Sequence, residues 1–241
     1  MIGTLVNTVA VLVGAIFGLL FKKGIPKKLE KNIFTALGLA VLYVGISGTL
    51  KEPFVGNLKE ESNLVLIVIL SMVFGAIIGE LLDLDGALNK LGHWFEKKFS
   101  NSPNESGSFA HGFVTASLVF CVGAMSVVGP IEDALIGSRG TLYTKSLLDA
   151  VGAVVFASSM GIGVLFSSLF ILVYQGSIAL LALVMGQALS SVFTPIAVAE
   201  MGVVGSLLII AIGTNLLSIT KIKVMNLLPA IFFPLLLSRF M

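Results

Sequence analysis

Charge is what this chain has least of. Asp, Glu, Lys and Arg make up 12% of its 241 residues, against about 25% in soluble domains, and from Ala150 to Ala199 there is none at all. Such a chain cannot clothe a water-facing surface, which excludes an ordinary soluble domain. Its single cysteine, Cys121, lies inside an apolar run; this rules out an internal disulfide and a paired thiolate metal site and leaves Cys121 as a small packing residue. Histidine is almost as scarce. His93 and His111 have no partner at metal-ligand spacing, and no HExxH, P-loop or GxSxG pattern occurs, so no metal, cofactor or catalytic chemistry is expected and the chain does not read as an enzyme. A formal net charge of +2 spread over short loops, without a basic tract, excludes nucleic acid as a partner. A basic leader is lacking too, and the apolar run from Ile2 to Phe21 is too long for a signal-peptide core, so it is expected to stay as a first membrane span.

What is abundant is apolar surface and glycine. Hydrophobic residues reach 56%, mean hydropathy is +1.05, and 26 glycines suit membrane helices whose backbones approach closely. A helix needs about 20 apolar residues to cross the hydrocarbon core. Uncharged stretches place spans at Ile2 to Phe21, Ile33 to Leu50, Leu64 to Gly79 and Phe109 to Val128. The block Thr144 to Phe193 holds two or three helical pieces, with breaks expected at Gly161-Ile162-Gly163 and at Gln175-Gly176. Met201 to Ile219 and Val224 to Ser238 follow, the last kinked by Pro229 and Pro234. The expected fold is therefore all-α, a polytopic transmembrane helix bundle of about seven or eight spans with duplicated helix pairs and broken helices, embedded in a lipid bilayer. It reads as a single integral membrane domain over 1–241, with repeat one at 1–50, repeat two at 64–128, a broken-helix region at 129–193 and C-terminal spans at 196–240.

The lysines orient it. Lys22, Lys23, Lys27, Lys28 and Lys31 crowd the first loop, whereas Lys51 and Lys59 in the second are balanced by Glu52, Glu60 and Glu61. The positive-inside rule puts the first loop in the cytoplasm and the N-terminus outside, and Lys90, Lys97 and Lys98 in the third loop agree. On an eight-span count Lys221 and Lys223 fall inside and Arg239 outside. Leu84, Leu88, Leu91, Trp94, Phe95 and Phe99 recur at helical spacing among Asn89, Lys90, Glu96, Lys97 and Lys98. That pattern fits an amphipathic helix on the membrane surface or an extension of the preceding span. Ser100 to Ser108 reads as a flexible loop.

Two words repeat. Gly14-Ala15-Ile16-Phe17-Gly18 returns as Gly75-Ala76-Ile77-Ile78-Gly79, each a small-xxx-small packing signature. Each is followed by a charged linker and a second span, ending in Leu42 to Ser47 and in Phe120 to Ser126. This order suggests a duplicated helix pair, with a fainter third copy from Gly186 to Asn215. Transporters built from duplicated units hold substrate at the repeat interface.

The chemistry concentrates between Gly129 and Asp149. Glu132, Asp133, Arg139, Lys145 and Asp149 fall here, in an otherwise strongly apolar half of the chain. Lys145 and Asp149 are four apart, so on a helix they share a face and can pair, and Gly152 and Phe156 continue that face. Ionisable residues inside a membrane mark function by default; the plainer reading is a loop whose charges cap helices. Ser158 and Ser159 precede the Gly161-Gly163 break and Gln175 lies amid fifty uncharged residues. Broken backbone survives at membrane depth only where it is buried in protein or lines a cavity. Asn7, Asn215 and Asn226 are isolated polar residues inside spans and fit helix-to-helix hydrogen bonds. Candidate pathway residues are thus Asp149, Lys145, Asp133, Glu132, Ser159, Gly161, Gly163, Gln175, Asn7 and Asn215.

Three stretches carry a resemblance: GTLVNTVAVLVGAIFG from Gly3 to Gly18, GPIEDALIGSRGTLYTKSLLDA from Gly129 to Ala150, and GIGVLFSSLFILVYQG from Gly161 to Gly176. Over nearly the whole chain the sequence resembles the YdfK and YqgA type of bacterial inner-membrane proteins of unknown function. The resemblance implies a multi-pass protein of the bacterial cytoplasmic membrane, loosely described as a transporter, and supplies neither substrate nor site.

Two functions compete. A small-solute or ion transporter or channel accounts for repeats, broken helices and clustered charge; a non-transporting scaffold or partner subunit accounts for small-xxx-small faces suited to a homo-oligomer. An intramembrane enzyme lacks any nucleophile and base pair. Cysteine-accessibility labelling of intact cells is expected to find Lys27→Cys and Lys97→Cys protected and Ser62→Cys reactive, and labelling of the first loop from outside would reverse the assignment.

Overall fold

A computed structural model describes residues 1–22, 27–55, 63–99, 108–123, 125–135, 137–185 and 194–237. Lys23, Lys59, Glu60, Glu61, the Ser100 to Gly107 stretch, Gly186 and Arg239 lie outside the described residues. The side chains of Lys22, Lys27, Lys28, Lys31, Lys51 and Glu52 do as well.

The fold is all-α. In chain order the helices are α1 (Ile2–Lys22), α2 (Lys27–Val55), α3 (Leu64–Leu81), α4 (Leu84–Phe99), α5 (Ser108–Cys121), α6 (Met125–Leu135), α7 (Gly140–Met160), α8 (Gly163–Met185), α9 (Pro195–Leu216) and α10 (Val224–Leu227). A 3-10 turn over Leu228–Phe232 then leads into α11 (Phe233–Leu237). Local chemistry sets several boundaries. Thr194 caps α9 by accepting a hydrogen bond from the Ala197 N–H at 3.1 Å, and Pro195 takes the first turn, where its missing N–H costs nothing. Between α7 and α8, Gly161 has φ +84° and ψ −154°, a conformation open in practice only to glycine.

Four of these helices are long and apolar enough to cross a membrane: Ile2–Phe21, Leu64–Leu81, Gly163–Val184 and Ile196–Leu216. A fifth arises if α5 and α6 count as one span bent by 60°. The sequence expectation of seven or eight is therefore larger than length and composition support, for identifiable reasons. The uncharged part of α2, Thr35–Leu50, and the proline-broken Val224–Leu237 are both short, and α7 buries Lys145 and Asp149. The expected single span Phe109 to Val128 is corrected: the helix ends at Cys121 and restarts at Met125, with Gly123 at φ +132°. Ser126 Oγ donates to the Phe120 carbonyl at 2.9 Å across that bend, replacing a helical bond. The expected break at Gln175-Gly176 is also corrected, since α8 continues through both. Gln175 is fully buried, so it serves as an inward-facing residue of a continuous helix.

The chain divides into two compact units. The first comprises Met1–Phe34, Gly86–Cys121 and Met125–Leu181. In it α1 packs along α7 in the same direction, Gly3 against Leu142, Gly14 against Ala150 and Gly18 against Val154. The α5 helix runs alongside α8, with Phe109 and Phe113 meeting Gly163, and antiparallel to α7, with Gly112 on Met160 and Gly152 on Phe120. The α4 helix starts anew after Asp83, whose φ is +46°, and so does not extend α3. Its apolar face is buried on protein, Leu88 in the core and the Phe95 ring 5.7 Å from Phe113 and 5.3 Å from Phe166. Trp94 stays half exposed, with the Lys98 ammonium 5.0 Å above its ring.

The second unit comprises Thr35–Asp85, Val122–Ala124 and Ala182–Met241. There α2 runs antiparallel to α9, Gly38 against Leu217 and Gly45 against Ile210 and the Ser206 carbonyl. The α3 helix runs antiparallel to the C-terminal segment, Gly75 against Ala230 and Gly79 against Asn226. The two copies of the small-xxx-small word thus act alike, each letting a partner backbone touch the helix. Their companion words do not: Leu42 to Ser47 is continuous helix, whereas Phe120 to Ser126 spans the bend.

A Cβ at Gly79 would run into the Asn226 carbonyl and one at Gly14 into the Ala150 carbonyl, whereas one at Gly176 would meet nothing within 4 Å. Gly79→Leu and Gly14→Leu should therefore destabilise the protein by at least about 2 kcal/mol through forced separation of backbones. Gly176→Ala should be neutral or stabilising by up to about 1 kcal/mol through helix propensity. Thermal unfolding in detergent measures both, and a wild-type melting profile for Gly79→Leu would reject the packing role.

Candidate functional site

The first unit holds the polar cluster. Because α1 and α7 touch backbone to backbone at Gly14 and Gly18, polar side chains on their facing sides cannot escape to solvent and must find one another. Lys145 and Asp149 pair as the i,i+4 spacing expects, Nζ to Oδ2 at 2.7 Å and to Oδ1 at 2.9 Å. Both side chains are more than nine-tenths buried. Asn7, fully buried on α1, donates from Nδ2 to Asp149 Oδ2 at 3.1 Å and to Gln175 Oε1 of α8 at 3.3 Å. Four candidates from three helices are thus brought into one network. Its hydrogen bonding is incomplete: Asn7 Oδ1, Gln175 Nε2 and Thr4 Oγ1, one turn before Asn7, are buried with no hydrogen-bond partner among the described residues. Ser117 Oγ on α5 and the Tyr174 hydroxyl on α8, in the same unit, share that condition. Such atoms are rare in native proteins, and each calls for a reason.

Asp133 and Glu132 form a separate knot on α6. The Asp133 carboxylate, completely buried, accepts the Gly3 N–H at 2.9 Å, the Arg139 Nε at 3.1 Å and the Met1 ammonium at 2.7 Å. It thereby neutralises the positive end of α1. Glu132 accepts from the Thr141 hydroxyl at 2.6 Å, tying α6 to α7. These two acids fasten helix ends. The remaining candidates are structural. Ser159 returns its hydroxyl to the Val155 carbonyl at 3.1 Å, Gly161 makes the α7–α8 turn, and Gly163 lets α8 rest on the Phe109 carbonyl. Asn215, in the second unit, closes the turn after α9, accepting the Ile222 N–H at 2.9 Å and donating to the Ile222 carbonyl at 2.7 Å.

The second unit has its own polar knot. Lys223 meets Glu80 at 2.8 Å, and Asn226 donates to Glu80 at 2.5 Å and accepts the Asp85 N–H at 2.6 Å. The hydrogen bond to Glu80 holds the Lys223 ammonium above its usual range. Burial pushes the Asp85 carboxyl up, with Lys223 opposing. Glu80 and Lys223 are both more than half exposed, so this knot is a wet clasp at a helix end. No group of three or more His, Cys, Asp or Glu suited to a metal ion occurs among the described residues.

Sequence reasoning found Lys145 and Asp149 through their spacing and singled out Asn7 and Gln175 as isolated polar residues. It missed that Asn7 bridges the other two, because the contacts lie 142 and 168 residues apart in the chain. It also missed Thr4, Ser117 and Tyr174. Their only signal is polarity within apolar stretches, which surface serines and threonines share.

Comparison with known proteins agrees on the class. A family model described as a protein of unknown function, DUF554, matches residues 2–239. The chain is 35% identical over 234 residues, 97% of its length and 94% of the relative's, to the uncharacterized membrane protein YdfK of Bacillus subtilis (strain 168). It is 29% identical over 239 residues, 98% of its length and 96% of the relative's, to the uncharacterized protein YqgA of Escherichia coli (strain K12). No solved structure matches.

Removing one member of a buried ion pair strands the other. Lys145→Ala should cost about 3–5 kcal/mol of stability, read as a lower melting temperature in detergent. An unchanged melting temperature would mean that Asp149 does not depend on the lysine.

Proposed function

The chain belongs to the DUF554 family, and from that premise we propose that it is a multi-pass transporter or channel of the bacterial cytoplasmic membrane that moves a small solute or ion past the Lys145, Asp149, Asn7 and Gln175 network. The observation that carries this reading is the burial of a charged pair among polar residues of three helices. Gln175 lies twelve residues into the apolar span Gly163–Val184, and the Lys145 and Asp149 side chains, linked to it through Asn7, are more than nine-tenths buried. Withdrawing charges from water is costly even when they are paired. A scaffold has no use for that expense, whereas a pathway does.

Helix directions support eight crossings, even though fewer helices pass on length alone. Parallel α1 and α7 require an odd number of crossings between them, and α2, α3 and the bent α5–α6 supply it. Antiparallel α2 and α9, and antiparallel α3 and the C-terminal segment, require even numbers. Parallel α5 and α8, with Phe109 on Phe166 and Phe113 on Phe170, require the single crossing of α7. All four relations hold if each helix or bent pair crosses once. A partner-subunit reading draws on the open apolar groove along α1 and α7, lined by Leu5, Val9, Val13, Phe17, Val151 and Val154, but leaves the charges unexplained.

Purified protein in liposomes, offered a panel of small organic anions and monovalent ions, should show flux that Asp149→Asn abolishes without loss of folding or membrane insertion. Absence of flux from the wild-type protein overturns the transport reading. Full flux from Asp149→Asn removes this network from the pathway.

A further inference from the structure

We propose that the outer face of α4 binds the anionic phosphate headgroups of the lipid leaflet it lies against, through Lys90, Lys97 and Lys98 set around Trp94. Successive residues of a helix turn by about 100°, and this spacing sorts α4 into three strips. Leu88, Gly92 and Phe95 share the strip that packs on protein: Leu88 is in the core, Gly92 faces Ala110 and Phe113, and the Phe95 ring lies against Phe113 and Phe166. Asn89, His93 and Glu96 share a second strip, where His93 Nδ1 and Glu96 Oε2 meet at 3.0 Å. The third strip carries Ala87, Lys90, Leu91, Trp94, Lys97 and Lys98, all of them exposed.

Water alone does not call for such a strip. Leu91 and Trp94 leave 38% and 52% of their surface exposed, and three lysines but no acid lie beside them. An exposed apolar stripe bordered by lysines suits a helix at the boundary between acyl chains and headgroups. Tryptophan favours that level, and a lysine there can run its methylenes along apolar surface while its ammonium reaches the headgroup layer. The Lys98 ammonium, 5.0 Å above the Trp94 ring, joins the two elements.

The packing of α4 sets its level and its side. Phe166, under the Phe95 ring, lies three residues into the apolar span Gly163–Val184, about 4.5 Å from its start. The α4 helix thus covers the first turn of α8, at the end where that span begins. The α7 helix finishes at the same end, and so does α1, which runs parallel to α7 and leads there into the lysine-rich first loop. The positive-inside rule assigns this end to the cytoplasm, where anionic lipid attracts basic segments. Level, side and sign of charge agree on one occupant, a phospholipid whose headgroup carries net negative charge.

Trp94 is the single tryptophan of the chain, so its fluorescence reports on this face alone. Full-length protein is reconstituted into phosphatidylcholine vesicles that carry an equal mole fraction of either phosphatidylglycerol or phosphatidylcholine brominated high on the acyl chains, where bromine quenches a neighbouring indole. Brominated phosphatidylglycerol should quench Trp94 more strongly, by at least about twofold at low salt, and the excess should shrink at high salt as the attraction is screened. Combined Lys90→Gln, Lys97→Gln and Lys98→Gln should abolish the excess, and the corresponding three arginine substitutions should retain it. All three lysines are exposed, so both variants should fold, which melting temperature checks, and the salt comparison needs no substitution. Equal quenching by the two lipids, or a preference that survives the glutamine substitutions or high salt, overturns the inference. Absence of quenching by either lipid, as expected of a face in water or docked on another protein, overturns it too.

Discussion

Two helices running in the same direction and touching at glycine hold the first unit together. At Gly14 and Gly18 the α1 backbone meets the Ala150 and Val154 carbonyls, an approach that any side chain would block. In lipid no hydrophobic effect drives helices together, so close van der Waals packing of this kind supplies the association. The same contact decides the chemistry. It carries Asn7 across to Asp149 and leaves the Lys145–Asp149 pair more than nine-tenths buried.

A buried ion pair is weak evidence for stability, since packed apolar residues of similar volume often do as well or better, while losing one partner is costly. The network around Asp149 has further features that stability would not select. Its amide bridge is single, and buried oxygens and nitrogens on Asn7, Gln175 and Thr4 stay unmatched. The Asp133 knot is different: its buried carboxylate takes three donors at a helix end, as a structural acid should. Two clusters of similar composition, a few residues apart in sequence, thus divide into one that fastens helices and one whose buried polar atoms stay partly unmatched.

Much of this was legible in the residues. The scarcity of charge announced a membrane protein, the i,i+4 spacing announced the ion pair, and Gly161-Ile162-Gly163 announced the α7–α8 break. Gln175-Gly176 misled because glycine inside a membrane helix is often mere absence of bulk, and nothing local distinguishes that from a turn. The bend after Cys121 hid within an uncharged run, where hydropathy cannot see it, although Gly123, at φ +132°, was a signal. Asn7 stood out as an isolated polar residue inside a span, but its partners lie on helices far along the chain, and no local pattern reports a contact of that range. The partners of Gly75 and Gly79, Ala230 and Asn226, were hidden for the same reason.

The central claim is that the charges at Lys145 and Asp149 are kept for passage and not for the fold. Replacing both at once, Lys145→Met with Asp149→Leu, removes the pair without stranding a charge, and melting temperature and liposome flux can be measured on the same preparation. The account predicts a melting temperature equal to or above that of the wild-type protein together with complete loss of flux. A doubly substituted protein that still transports at the wild-type rate, or one that fails to fold, would contradict it.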